Sequence, residues 1–224
     1  SGSTAYTVGS FALQGLATST IAVAASDTAQ TLAATINGTT ATTGVTASAK
    51  TEESATFTAG GVYSLGVTSD NGTAANVTFT VGAALNASGL ASAVSAFNDV
   101  SSKTGVTAKL NSTNNGLILT NAAGNNITLA NNSASASVTV GAINGAGTVQ
   151  GTPVAVAAGA AATTMGYVSM NSDKGFSIGT TGSNAVIAST GATLNTVSGI
   201  DVSTVKGAAD ALKVLDSALA NVNS

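Results

Sequence analysis

Three short stretches place groups that could perform serine acyl transfer. Ser203-Thr-Val-Lys206 has the S-x-x-K spacing that sets a lysine beside a nucleophilic hydroxyl, Ser69-Asp-Asn71 is an SDN triplet and Lys103-Thr-Gly105 is a KTG triplet. Such a site requires S-x-x-K first in the chain, then SDN, then KTG. Here S-x-x-K comes last, and a chain rich in Ser, Thr, Asn and Gly spells such triplets readily. The other candidates are equally bare. Glu52 and Glu53 are adjacent, so in an extended segment they face opposite ways and cannot act on one bond. Asp70 precedes Asn71-Gly72 and reads as a turn residue.

The chain lacks His and Cys, which removes neutral-pH acid–base chemistry, thiolate nucleophiles, disulfides and thiolate metal ligands. No GxGxxG, P-loop or EF-hand pattern is present. The expectation is therefore no catalytic, cofactor-binding or metal-binding residues, no cofactor, and no enzymatic activity, on β-lactams or otherwise. Charged residues are 7% of the 224 and the net charge is −3. Six lysines scattered along the sequence cannot form a phosphate-neutralising surface, so nucleic acid is not an expected partner. Val154–Val168, the most apolar stretch, is shorter than the ~20 residues that cross a bilayer as a helix, so membrane insertion is not expected either. The first residues lack a basic region followed by an apolar run, so a signal peptide is not expected among them.

The elements that would position any site come from a repeat. TGVTA occurs at Thr43–Ala47 and again at Thr104–Ala108, an offset of 61. At the same offset Ala29, Leu32, Ala33 and Ile36 align with Leu90, Ala93, Val94 and Phe97. Both sets run i, i+3, i+4, i+7, one face of an α-helix. Asp27, with Gln30 three residues on, and Ser88 are the expected N-caps. Asn37 and Asn98 follow the last apolar residue, where Asn tolerates the left-handed conformation that ends helices. After TGVTA the period falls to 2: Val106, Ala108, Leu110, then Leu117 and Leu119, then Ile127 and Leu129, with turns at Asn115-Gly116 and Gly124–Asn126. Each unit thus reads as a short helix followed by an antiparallel meander.

These patterns predict an α+β fold, predominantly antiparallel β with short helices. The expected organisation is a leading β segment (1–25), a first helix-plus-meander repeat (26–82), a second (83–141), a returning β segment (142–199) and the start of a helix (200–224). In that last helix, capped by Asp201, Val205, Ala209, Leu212, Leu215, Leu219 and Val222 form a narrow apolar seam of the kind that packs in a helical rod. The alternative is that it docks on the adjacent strands.

The C-terminal stretch DVSTVKGAADALKVLDSALANVNS resembles the start of the conserved C-terminal region of bacterial flagellins, where a similar opening leads into a rod helix. GYVSMNSDKGFSIG resembles the strand pair before that helix. The 61-residue unit resembles the flagellin IN repeat, a helix ending Ile-Asn followed by T-G-V-x-A and a hairpin. The first copy has Ile36-Asn37; the second departs with Phe97-Asn98.

The resemblance implies the outward-facing domains of a filament subunit serving motility, extracellular on the bacterial flagellum. It implies other flagellin subunits as partners, engaged through terminal helices mostly outside this chain, which alone would stay monomeric. Host antibodies or surface receptors are further implied partners. A flagellar hook-associated or cap protein shares the repeat and remains an alternative. A surface adhesin of stacked β repeats is another, although it would show many short regular repeats and not two long ones.

Overall fold

The computed structural model describes residues 5–180, 190–191, 203 and 205–222. Much of the end of the returning β segment, 181–189 and 192–199, and the Asp201 cap lie outside them. The chain opens with a hairpin of β1 (Gly9–Gln14) and β2 (Thr18–Val23), paired with Phe11 opposite Ile21. Then come α1 (Ala29–Asn37), the single turn α2 (Thr40–Thr43) and the long strand β3 (Val45–Thr56). The same order returns: β4 (Val62–Thr68) and β5 (Ala75–Thr80) form a hairpin, followed by α3 (Ala91–Asp99), α4 (Ser101–Thr104) and β6 (Val106–Leu110). What the fold repeats is hairpin, helix, single turn and strand, so the hairpin precedes the helix. The two single turns have no sequence period of their own, being shorter than any amphipathic pattern.

The remaining elements are β7 (Leu117–Asn121), β8 (Ile127–Asn131), β9 (Val138–Ile143), β10 (Val154–Val156), β11 (Ala161–Thr164), β12 (Tyr167–Ser172), β13 (Ser177–Thr180), β14 (Thr190–Gly191) and α5 (Val205–Val222). The sheets are antiparallel. One runs β14-β13-β1-β2, a second β10-β9-β3-β7-β6 with β12 added to β3, and a third β11-β8-β4-β5.

Consecutive strands do not close into meanders. β6 and β7 pair, but β8 joins β4 and β11 in the facing sheet. The reason lies in the alternation. Leu117 and Leu119 of β7 and Ile127 and Leu129 of β8 are all fully buried in one core, so the turn at Gly124 carries the chain across that core and not along one sheet.

Two cores result. The first gathers Phe11, Leu13, Ile21 and Val23 of the leading hairpin with Leu32 and Ile36 of α1 and Val45 of β3. The second fills the space between the other two sheets and α3, with Leu65, Val67, Phe97, Leu117, Leu119, Ile127 and Leu129 among its members. Phe57, Tyr63, Phe79 and Phe97 make an aromatic chain there, with centroids 5.1 to 5.9 Å apart. The helical stripe read from sequence is the buried one: Ala29, Leu32, Ala33 and Ile36 in α1, and Leu90, Ala93 and Phe97 at α3, with Val94 partly buried.

β3 belongs to both cores. Its inward residues alternate at odd positions from Val45 to Ala55. Its first half pairs with β12, with Lys50 opposite Tyr167, and its second half lies between β7 and β9. Val154–Val168, the apolar stretch, is built into β10, β11 and the start of β12. No helix among the described residues is long and apolar enough to cross a membrane.

Candidate functional site

The repeated TGVTA segment is where the chain concentrates specific side-chain chemistry. Thr43 and Thr104 are fully buried. The Thr43 hydroxyl donates to Thr39 O at 3.0 Å and accepts the Val45 amide at 3.2 Å. The Thr104 hydroxyl donates to Val100 O at 3.0 Å and accepts the Val106 amide at 3.1 Å. Gly44 and Gly105 follow at φ 69° and 70°, the left-handed region, each sending its amide back to close the single turn. Val45 and Val106 are fully buried.

The last residue of each pentapeptide is held by an asparagine ten residues upstream. Asn37 donates to Ala47 O at 2.9 Å and accepts the Ala47 amide at 2.7 Å. Asn98 does the same with Ala108, at 3.0 and 2.8 Å. The asparagines were expected to take the left-handed turn themselves. They are instead the penultimate or last helical residues, and the glycines of the pentapeptide take that conformation. An asparagine there supplies one donor and one acceptor on a planar amide, the same pair that a strand's backbone offers.

The N-caps also shift. Thr28 caps α1 in a reciprocal box with Thr31, and Asp27 accepts from the Ala24 amide and the Thr31 hydroxyl. α3 begins after Leu90 with no side-chain cap, and Ser88 is not one. Gln30 takes no part in the cap; its backbone amide donates to Gly124 O, tying α1 to the second unit.

Two of the three acyl-transfer triplets meet in space. The Asp70 amide donates to Thr104 O, and the Asp70 carboxylate lies against the face of Gly105 where a Cβ would stand. The contact is structural. Asp70 Oδ1 accepts from Asn121 at 2.6 Å and from Asn125 at 2.8 Å, and the Ser69 hydroxyl accepts from Asn121 as well. Asn121 Oδ1 in turn gathers the amides of Ala123, Gly124 and Asn125. Thr104 of the KTG triplet is committed to the backbone on both sides. Ser203 is exposed, and the Lys206 side chain lies outside the described residues.

Glu52 and Glu53 face opposite sides of β3, as alternation requires. Glu52 pairs with Lys50 at 2.8 Å and accepts from the Tyr167 hydroxyl at 3.0 Å. Burial first, then the Glu52 charge, push Tyr167 up to about 12. Glu53 is fully buried and burial pushes it up to about 8, with the Thr164 hydroxyl pulling the other way. Neither Glu53 oxygen makes a hydrogen bond of acceptable geometry, so Thr164 is near but not aligned. Among the described residues, no three His, Cys, Asp or Glu side chains converge on a possible metal position.

Along α5, Leu212, Leu215 and Leu219 are 63%, 48% and 62% exposed, whereas Ala211 is buried. The side chains of Val205, Ala209 and Val222 lie outside the described residues.

Residues 10–71 match the family model described as the flagellin hook IN motif. The matched span runs from β1 to the turn after β4 and so contains the whole first clamp: Asn37, Thr43, Gly44 and Ala47. The match supports a protein related to the flagellar hook or filament. No curated protein matches the chain significantly.

Proposed function

We propose that this chain is the outer region of a flagellin, a structural subunit of the bacterial flagellar filament, carried on the cell exterior and serving motility. The observation that carries the reading is the IN-motif match over residues 10–71. Residues 91–108 repeat its clamp geometry bond for bond, which supports a second IN-type unit. Leu212, Leu215 and Leu219 stand three and four residues apart on α5 with their side chains in solvent. On this reading the seam Val205, Ala209, Leu212, Leu215, Leu219 and Val222 packs against helices of the rod and of neighbouring subunits. The chain by itself is then a monomer, and the knob it forms is what antibodies or host surfaces would meet. A catalytic role is not part of the reading: the side chains nearest to an acyl-transfer set are engaged in holding the fold. Turnover of a chromogenic β-lactam by the purified chain would overturn that part.

The alternative is a hook-associated or cap protein with the same motif. Immunogold labelling of flagella from the source cells, with antibodies raised against this chain, separates the two. A filament subunit is decorated along the whole filament. Label confined to the hook–filament junction or the tip overturns the filament reading, and no label on flagella overturns both.

A further inference from the structure

Glu53 stands on β3 where the strand's inward face passes from one core to the other. Val45 belongs to the first core and Ala55 to the second, while Thr51 and Glu53 between them are fully buried polar residues. The Thr51 hydroxyl and both Glu53 oxygens lack hydrogen-bond partners, as does the buried Asn126 side-chain oxygen on the approach to β8. Such orphaned groups are costly inside a protein, and an unpaired carboxylate most of all.

The cover over this junction is one continuous segment. β11 pairs with β8 in one sheet and ends at Thr164. Gly166 packs directly on the Thr51 hydroxyl and Lys50 O, closer than any side chain could. β12 then pairs with the first half of β3. Residues 161–172 therefore strap the two cores together above Glu53, fastened further by the Tyr6 hydroxyl donating to Gly166 O at 3.0 Å.

Among the described residues, nothing on the elements packed around Glu53 would balance a charge there. β7, β8, β9 and β11 carry no titratable side chain. Lys50 and Glu52 lie on the other face of β3, paired with each other, and Tyr167 of β12 is bound to Glu52. Lys109 of β6 is exposed. Asp70, beyond the end of β7, is held by Asn121 and Asn125 and is itself an acid.

We propose that Glu53 is a proton-operated latch: as a neutral acid it lets residues 161–172 close over the junction of the two cores, and ionised it favours a form in which that strap is lifted and water reaches the carboxylate while the rest of the sheets persist. The direction follows from linkage. The closed form holds its proton to about pH 8, whereas the hydrated carboxyl of the open form loses it near 4.5. Opening becomes more favourable as pH rises through that interval, by up to about tenfold per pH unit, and is level above it.

Hydrogen exchange read by mass spectrometry from about pH 5 to about pH 8, corrected for intrinsic chemistry, tests the latch. Peptides from 161–172 should lose at least about tenfold more protection over that range than peptides from 117–121, and Glu53→Gln should abolish the difference. Equal pH responses of the two segments in the unmodified chain overturn the proposal, with no variant needed. The same pH response in folded Glu53→Gln also overturns it.

Discussion

Asn98 donates its side-chain amide to Ala108 O and accepts the Ala108 backbone amide, so one side chain stands in for a neighbouring strand at that residue. Both bonds lie where α3 packs on β6, and the same pair recurs between Asn37 and Ala47. Asn98→Ala leaves a backbone donor and acceptor unpaired and should cost about 1–3 kcal/mol. Asn98→Asp should cost at least as much, because a carboxylate then faces the Ala108 carbonyl. Thermal melting followed by circular dichroism should show a fall of roughly 2–4 °C per kcal/mol for a chain of this size.

Thr104→Val keeps the shape of the side chain and removes its hydroxyl. Val100 O and the Val106 amide then lose their partner in a buried place. The expected loss is about 1–3 kcal/mol in urea unfolding. Thr107→Val serves as the control. Its exposed hydroxyl makes one long contact, 3.4 Å to Thr120 O, and its loss should be close to silent.

Gly44 and Gly105 hold the same left-handed conformation but have different neighbours. A Cβ at Gly44 meets the exposed Leu16 side chain at 3.0 Å, which can swing aside; a Cβ at Gly105 meets the Asp70 carboxylate. Both alanine variants should lose about 1 kcal/mol to backbone strain. Gly105→Ala should lose clearly more, since Asp70 is tied to Asn121 and Asn125. Comparison of the two urea midpoints checks the ordering, and equal midpoints would remove Asp70 from the explanation.

The phenol of Tyr167 is pushed up to about 12, by burial first and by Glu52 second. An ultraviolet titration of phenolate absorbance should therefore contain a late step that Tyr167→Phe deletes. Glu52→Gln should move that step to lower pH, because an ionised phenol would no longer sit beside a carboxylate. The sign for stability follows: an unfolded tyrosine ionises near 10, so folding weakens as pH climbs from there toward 12.

Replacing Leu212, Leu215 and Leu219 with Gln leaves both cores intact and should not change the melting temperature of the isolated chain. In flagellated cells the same triple variant should fail to enter filaments. Normal incorporation would show that the seam is not a packing surface.

Much of this architecture is legible in the sequence wherever one period dominates. The i, i+3, i+4, i+7 stripes mark the buried faces of α1 and α3, and the alternation from Val106 to Leu129 gives three strands in place. Pairing was harder to read, because strand periodicity says which face is buried but not which strand lies alongside. β7 and β8 carry the same alternation and end in different sheets. The role of Asn37 and Asn98 escaped local rules for a similar reason: their partners lie ten residues on, and only the constant spacing to each Ala in the repeat could have signalled them. Glu53 was legible only in its direction. Alternation set it opposite Glu52, but nothing in a local window shows that β11 and the segment leading to β12 close over it.

The register of Lys50 opposite Tyr167 has an evolutionary consequence. The chain departs from the first core and re-enters it at hydrogen-bonded neighbours, so residues 51–166 form an excisable cassette. A tight turn spliced between those two positions would keep the strand pairing of the first core, at the loss of the tie from Gln30 to Gly124, the Tyr6 bond to Gly166 and the contacts of Lys50 and Tyr167 with Glu52. Segments of different size and surface could be exchanged through that doorway without redesign of the first core.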